Sequence, residues 1–228
     1  MTTTPNPTRL LSIQVAPWAI LNEGIDAALD FMCECGLNAI HLNTHTYYGG
    51  GGGNQRGFEH WATDHPGEPG GHWRGQETGA WLAHDPARYA EVGLFHDYEG
   101  GAPDSTQFDA ICAAAQARGM RVYARYLDGI ETHRHRIPGW QDVLSVDADG
   151  NCVDQPCFIH PRLREWNRLT LEDIGAHPAL DGVLFGIERG SPLEGMLYWG
   201  GHTICFCEHC QAEARRRGFD IERARLGF

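Results

Sequence analysis

The stretch HPRLREWNRLTLEDIGAHPALDGVLFGIE, residues 160–188, decides the fold class. Residues 160–178 predict a helix, and LDGVLFGIE, residues 180–188, predicts a strand. Strands and helices that alternate along a chain imply parallel strand pairing with right-handed crossovers. The pattern therefore indicates an α/β fold.

The same alternation of strand and helix occurs earlier in the chain. In residues 10–18, Leu11, Ile13 and Val15 lie on one face of a predicted buried strand. A helix is predicted to follow, and Gly36 ends it. The remaining predicted elements are a strand over 38–45, a helix over 104–119, a strand over 121–127 and a helix beginning at residue 211. The sequence therefore predicts four strand–helix units.

Two long segments interrupt this alternation, and both follow predicted strands. The insertion 46–103 contains five consecutive glycines and no durable periodicity, and the segment 128–155 carries the turn-like DADGN. A loop this long inside a compact domain is usually a lid or a binding loop, the alternative being a solvated insertion without a role. Because α/β proteins place their chemistry after the carboxyl ends of strands, we expect a functional site there.

The composition limits the class of protein and of partner. The 228 residues are 42% hydrophobic and 21% charged, as in ordinary globular proteins, and can bury a full core. A formal net charge of -12 disfavours nucleic acid and anionic membranes as partners and favours a neutral or cationic small molecule. The sequence shows neither a signal peptide nor a run of about 20 apolar residues, so we expect a cytoplasmic protein. Its eight cysteines are then thiols or metal ligands rather than a disulfide framework.

The segment ICFCEHC, residues 204–210, places Cys205, Cys207 and Cys210 in a C-x-C-x-x-C spacing. A thioredoxin-like redox pair lies directly at a strand end and needs no third cysteine, whereas a tetrahedral zinc site accepts this spacing and needs a fourth ligand. The candidates for that ligand are Cys152, Cys157, His202 and His209. Cys157 is preferred because it precedes the helix of the neighbouring unit on the same rim. Three other cysteines are expected to be buried apolar residues of helices: Cys33, Cys35 and Cys112.

Glu188 ends the last predicted strand and is the candidate catalytic group. It shares a strand face with Leu184 and Gly186. A carboxyl group partly removed from water at this position holds its proton more readily and suits general acid catalysis. A salt bridge to Arg125 or Arg189 is the alternative role. Side chains near strand ends are candidates for contacts with a sugar ring: Trp18, His45, Tyr47 and Arg125.

The segments PCFIHPRLREW, LDGVLFGIE and CFCEHC, in this order, resemble the zinc-containing barrels of glycoside hydrolase family 42, the β-galactosidase-like family, and their glycosidase-like relatives. The resemblance is close over the last third of the chain. It implies a structural zinc on four thiolates and a glutamate acid/base at the end of the fourth barrel strand. The residues at the matching positions are Cys157, Cys205, Cys207, Cys210 and Glu188. The implied function is hydrolysis of a carbohydrate by a glycosidase.

This family pattern requires more than four units. A (β/α)8 TIM barrel has eight strands and typically about 250 residues, and in this family the nucleophile comes from a late strand. We therefore expect residues 1–228 to form one N-terminal half-barrel domain, with an insertion over 46–103 and a zinc loop over 200–210. Without a C-terminal half, the chain is expected to be inactive and either to self-associate through open strand edges or to be poorly soluble.

Two other functions remain open at this point. Ile187 stands where many enzymes of the clan have asparagine before the acid/base. This departure favours a non-catalytic barrel that binds carbohydrate. A metal-dependent sugar isomerase or lyase on the same fold is the second alternative, with His41, His45 and Glu188 as its nearest candidate ligands.

Overall fold

The computed structural model describes residues 9–46, 79–96, 105–127, 137–186 and 204–227. These residues form eight strands, namely β1 Ser12–Val15, β2 Ala39–Asn43, β3 His45–Thr46, β4 Gly79–Ala80, β5 Arg121–Leu127, β6 Leu144–Val146, β7 Cys152–Pro156 and β8 Gly182–Gly186. They also form seven α-helices, namely α1 Pro17–Glu23, α2 Ile25–Glu34, α3 Pro86–Tyr89, α4 Thr106–Ala117, α5 Pro161–Ala176, α6 Glu208–Arg216 and α7 Ile221–Leu226. A 3₁₀ helix, Trp140–Val143, precedes β6. None of the helices in these residues is long and apolar enough to cross a membrane.

A parallel sheet of four strands organises the fold. Its order is β1-β2-β5-β8, and each pair of neighbours is parallel. The longer helices α2, α4 and α5 lie between these strands in the sequence, as crossover helices do in α/β proteins. The predicted α/β class with parallel strands in chain order is confirmed.

The two central strands bury one face completely. Ile40 and Leu42 of β2, and Val122 and Ala124 of β5, have no solvent exposure. Because adjacent residues of a strand point to opposite faces, these four side chains share one surface. Helix α4 packs on the same core, and its buried residues are Phe108, Ile111, Cys112 and Ala115.

Most of the later elements match their predictions closely. The strand predicted over 121–127 has those bounds, and the helices predicted over 104–119 and 160–178 are α4 and α5. The helix predicted from residue 211 begins at Glu208, and the sequence did not predict α7. The strand predicted over 180–188 is β8, while residues 187 and 188 lie outside the described part of the chain.

The first predicted strand is wrong in length and in burial. Strand β1 ends at Val15, and Pro17 begins helix α1, because proline favours the first position of a helix. Leu11 is 40% exposed and Ile13 is 42% exposed. The apolar alternation predicted the strand correctly but not its burial, because β1 is an edge strand of the described sheet.

The insertion predicted to lack regular structure contains part of the core. Residues 79–96 form β4 and α3, and β4 pairs with β3 in an antiparallel ribbon. The buried apolar residues of this segment are Ala80, Leu82, Tyr89, Val92 and Leu94. The segment 128–155 likewise contains β6 and most of β7, which form an antiparallel hairpin. Residues 47–78, 97–103 and 128–136 of the two predicted loops lie outside the described residues.

The three cysteines predicted to be buried differ from one another. Cys112 of α4 is fully buried, as expected. Cys33 is half-buried in α2, whereas Cys35 is exposed at the carboxyl end of that helix. The prediction for Cys35 is wrong because the helix has already ended at Glu34, where the chain turns into solvent.

Arg162, in the first turn of α5, connects two loops. Its Nε donates to the carbonyl of Val92 at 2.6 Å, and one Nη donates to the carbonyl of Gly93 at 3.0 Å. The other Nη pairs with Asp142 at 3.0 Å. Gly139 lies against the same loop, where a Cβ would overlap the carbonyl oxygen of Gly93. The segment 79–96 is therefore packed tightly against the turn before β6.

Replacing Gly139 by alanine is expected to destabilise the protein more than the matched change Gly150→Ala. Both glycines have a positive φ, +81° and +91°, so both changes cost about 1–2 kcal/mol in backbone conformation. Only at Gly139 does the new methyl group also meet backbone, which costs about 1–3 kcal/mol more. Urea unfolding followed by circular dichroism measures the difference. Equal free energies of unfolding for the two variants would contradict this close contact.

Candidate metal centre and the carboxyl edge of the sheet

Four cysteines from two distant parts of the chain come together beside the β6–β7 hairpin. Cys157 follows β7 directly, and its N–H donates to the carbonyl of Val143 at 2.7 Å. The segment before α6 is fastened to the hairpin by the N–H of Phe206, which donates to the carbonyl of Val146 at 2.8 Å. Backbone hydrogen bonds thus hold both cysteine-bearing segments. The clustered residues are Cys157, Cys205, Cys207 and Cys210.

The spacing of the four sulfur atoms fits a shared metal ion. All four lie within 4.8 Å of one another. The Sγ atom of Cys157 is 3.4 Å from that of Cys207 and 3.5 Å from that of Cys210. A disulfide needs about 2.0 Å, whereas two thiolates on one tetrahedral zinc, each bonded at about 2.3 Å, are about 3.8 Å apart. The four sulfur atoms therefore have a spacing that could hold one tetrahedral metal ion.

Backbone N–H groups point at two of these sulfur atoms. The Sγ of Cys205 accepts from the N–H of Val146 at 3.4 Å and from that of Cys207 at 3.5 Å. The Sγ of Cys207 accepts from the N–H of Cys210 at 3.5 Å. Hydrogen bonds from Cys157 and Cys210, together with these amides, hold the pKa of Cys205 below its ordinary value. Donors aimed at sulfur favour the thiolate, which is the form that binds metals.

The structure distinguishes among the candidates for the fourth ligand. Cys152 is exposed in β7 and does not join the cluster. His209 lies in α6, where its ring meets that of His160 edge to face at 4.4 Å. His202 lies outside the described residues. Of the described candidates, Cys157 is the one grouped with the trio.

A polar surface lies on the face of β2 and β5 opposite the buried one. His41 is in register with Tyr123, and their rings meet edge to face at 5.2 Å. Asn43 is in register with Arg125, which donates to the Asn43 side-chain oxygen at 3.0 Å. Within the described residues neither ring nitrogen of His41 has a hydrogen-bond partner, although both are shielded from solvent. Burial and the charge of Arg125 lower the pKa of His41, so a neutral ring is available for hydrogen bonding there.

A third polar group, of three buried histidines, lies beyond the carboxyl end of β2. His45 follows this strand, and its Nε2 is 3.1 Å from the Nε2 of His84. The ring of His96 stacks on that of His84, with centroids 3.8 Å apart. His84 also bonds to Asp173 of α5 at 2.8 Å. Burial, followed by the charge of Arg88, lowers the pKa of His84 to about 3.

The residues predicted to bind substrate lie in different parts of the fold. Arg125 lies on the polar face beside Asn43. His45, another candidate for sugar contact, follows the bend at Thr44 and lies in the histidine cluster, where its ring contacts Tyr126 of the buried face. Trp18 lies in helix α1 rather than at a strand end. Tyr47 and Glu188 lie outside the described residues.

His84 and His96 were not predicted as site residues, because both lie in the insertion that was predicted to lack regular structure. A signal was present in helix α5, where Trp166, Thr170 and Asp173 recur at the spacing of one helix face. Polar residues in line with a buried tryptophan require buried polar partners. These partners are the two histidines of the insertion.

No protein-family model and no curated protein matches the sequence. The structure is similar to a cold-adapted β-galactosidase from Rahnella sp. R3, with a TM-score of 0.49 and 16% identity over 93% of this chain and 24% of that one. It is also similar to a β-galactosidase from the psychrophilic Marinomonas ef1, with a TM-score of 0.45 and 15% identity over 92% of this chain and 26% of that one. The chain thus spans about a quarter of the length of each of these structures.

The cysteine geometry predicts distinct reactivities toward a thiol-alkylating reagent. The exposed Cys35 and Cys152 are expected to react at once, whereas Cys112 should react only after unfolding, since burial raises its pKa to about 12. The four clustered thiols should react together, and only after a chelator is added, because metal-bound thiolates are shielded. Mass spectrometry of peptides at successive times measures each rate.

Cys35 serves as the internal control in this experiment, since a chelator should leave its rate unchanged. Alkylation of the four clustered cysteines without a chelator, at the rate of Cys35, would show that they hold no metal.

Proposed function

We propose that this chain is the first half of a (β/α)8 barrel of a glycosidase, with a structural zinc in the four-cysteine cluster and Glu188 as general acid/base. The observation that supports this proposal best is the meeting of Cys157 with the C-x-C-x-x-C trio beside a parallel sheet whose strands follow chain order. That arrangement is what the resemblance to glycoside hydrolase family 42 requires.

The zinc would act as a structural clip. Four thiolates occupy all four coordination positions of a tetrahedral zinc ion, so no position remains for water or substrate. The ion would fasten the end of the β6–β7 hairpin to the segment that leads into α6. Both segments follow strands of the parallel sheet in the chain, so the clip would hold the carboxyl edge of the half-barrel in shape.

The polar face of β2 and β5 would form part of the substrate-binding surface. In a barrel, this face points toward the interior, and its residues near the carboxyl edge meet the substrate. The Arg125–Asn43 pair and the neutral ring of His41 offer both donors and acceptors to sugar hydroxyl groups. Hydrogen-bonding groups of this kind suit the hydroxyl groups of a carbohydrate.

Glu188 would supply the proton to the leaving oxygen. It follows β8 by two residues, and the register of β8 with β5 places Leu184 opposite Arg125. If the alternation of β8 continues to residue 188, Glu188 would share the polar face with Leu184. Hydrolysis with retention also requires a carboxylate nucleophile about 5 Å away. The proposal assigns that group to the second half of the barrel.

Replacing Glu188 by glutamine, in the protein with its second half present, is expected to lower kcat by roughly 10²–10⁴-fold. The loss should be larger for alkyl glycosides than for nitrophenyl glycosides, because a poor leaving group depends more on proton donation. Steady-state kinetics on the two substrate classes measures this difference. The exposed Glu91→Gln variant is the matched control and should retain full activity.

Two other outcomes of this experiment would replace the proposal. Full activity of the Glu188→Gln variant on both substrates excludes the acid/base role. Sugar binding without turnover by the parent protein favours the non-catalytic carbohydrate-binding barrel.

The metal-dependent isomerase would have used His41 together with His45, but the structure groups His45 with His84 and His96 instead.

The edges of the half-barrel favour self-association of the 228-residue chain. Strands β1 and β8 end the described sheet, and their apolar side chains are exposed, with Ile13 at 42%, Val183 at 39% and Phe185 at 46%. Unpaired strand edges with exposed apolar residues attract further strands. We expect dimers or larger species by light scattering, which supplying the second half should convert to a single discrete complex. A monomer at all protein concentrations would contradict this expectation.

A further inference from the structure

Three histidines from three parts of the chain converge in the protein interior. His45 follows β2, His84 precedes α3, and His96 lies at the end of the described segment 79–96. Their exposures are 8%, 3% and 8%, and one ring nitrogen of each lies within 4.8 Å of the others. We propose that these three histidines bind a divalent transition-metal ion, with zinc as the ion that their donor set fits best.

The spacing of the two nearest nitrogens fits such an ion. The Nε2 atoms of His45 and His84 are 3.1 Å apart. Two imidazoles bonded at 2.0–2.1 Å to one tetrahedral zinc place their nitrogens about 3.3 Å apart. A cation can therefore bind between these two rings with little movement of either.

The partners of His84 aim a lone pair into the cluster. Asp173 pairs with Arg88 and accepts from the hydroxyl of Tyr89 at 2.6 Å, so it is an acceptor for its neighbours. It therefore takes the Nδ1–H of His84 at 2.8 Å. This leaves the lone pair of His84 on Nε2, which faces His45. A histidine that donates its other N–H to a carboxylate is the usual arrangement in metal sites.

His96 is fixed in the same way by a hydroxyl group. Thr170 donates its only hydroxyl proton to the carbonyl of Trp166 at 2.8 Å. At its contact with His96 Nε2, 3.1 Å away, Thr170 must then be the acceptor. The lone pair of His96 therefore lies on Nδ1, which we assign as its ligand atom.

The hydroxyl group of Thr44 lies next to His45 and can direct the lone pair of His45 into the cluster. Thr44 Oγ1 lies 2.9 Å from His45 Nδ1 and 3.4 Å from the carbonyl of Arg125. When Thr44 donates to that carbonyl, it accepts from Nδ1–H, and the Nε2 lone pair of His45 faces that of His84. Two facing lone pairs require a cation between them. The metal-free alternative has Thr44 donate to Nδ1 and His45 donate through Nε2 to His84.

Binding of one ion by all three rings requires the ring of His96 to move relative to that of His84. The rings of His84 and His96 are nearly parallel, with an interplanar angle of 18°. A shared ion must lie near the plane of each ring, so His96 has to tilt out of the stack. The angle between His96 and His45 is already 36°. Three histidines would fill three positions of a tetrahedron, and one further ligand would complete it.

An ion bound at this position would join segments that are distant in the chain. The ion would connect the carboxyl end of β2 to the segment 79–96, while Asp173 and Thr170 support it from helix α5. The rings are buried on the helix side of the sheet, next to Tyr126. This site is separate from the cysteine cluster in its ligands, and it does not depend on the proposed glycosidase function.

The test is the zinc content and zinc ligation of the 228-residue chain, measured after dialysis against zinc. Elemental analysis should find one equivalent that is lost in His84→Ala and in His96→Ala but retained in Cys205→Ser. X-ray absorption at the zinc edge should show nitrogen ligands in the parent protein, and nitrogen in place of sulfur in Cys205→Ser. The matched control is His177→Ala, which removes a histidine that also pairs with an aspartate, Asp109 at 2.9 Å, and should lose no zinc.

The type of atom bound to zinc in the parent protein tests the proposal even when a variant fails to fold. Sulfur as the sole ligand type in the parent protein overturns the proposal, as does an unchanged zinc content in a folded His96→Ala variant. Such results would assign the cluster to the metal-free hydrogen-bond chain. Nitrogen-bound zinc that persists when the cysteine site is removed supports the histidine site, whatever the fate of the glycosidase proposal.

Discussion

The packing of Trp166 fixes helix α5 on the sheet, and both candidate metal sites depend on that position. The indole is fully buried and contacts Trp140 at 5.6 Å, Tyr126 at 6.3 Å and His96 at 4.8 Å between ring centroids. An aromatic side chain of this size buries about 150–250 Å², which at about 25 cal/mol per Å² contributes about 4–6 kcal/mol. Because Trp166 meets a strand residue, a residue of the 3₁₀ helix and a residue of the insertion, it sets three segments relative to one helix.

The position of Trp166 also fixes the direction of polar side chains on the same face of helix α5. Thr170 and Asp173 follow Trp166 on the same face, so the packing that buries the indole also directs a hydroxyl and a carboxylate at the histidines. At the amino end of the helix, Arg162 binds the carbonyls of the loop after α3. Cys157 lies four residues before the helix, in a turn where His160 N–H donates to its carbonyl. One helix therefore supports the core, the histidine cluster and one ligand of the cysteine cluster.

The sequence predicted the elements whose signal is local. Strand β5 and helices α4 and α5 have their predicted positions, because periodicity within each segment is enough to define them. The burial of Leu11 and Ile13 was wrong, because burial depends on what covers a strand and not on its own alternation. The segment 79–96 was missed for a related reason. Its helix α3 spans four residues and its strand β4 two, too short for any period to appear, and tertiary contacts hold them in place.

The two clusters differ in how far apart their ligands lie in the sequence, and this explains why one was predicted and the other was not. Three of the four clustered cysteines occupy six consecutive positions, so their spacing alone indicates a shared ion, and only Cys157 had to be found elsewhere. The histidines lie 39 and 12 residues apart, and no spacing rule connects them. What does connect them is the demand that buried polar groups be paired. A threonine and an aspartate on the apolar face of a helix imply partners of matching chemistry on whatever packs against that face, and His84 and His96 meet that requirement.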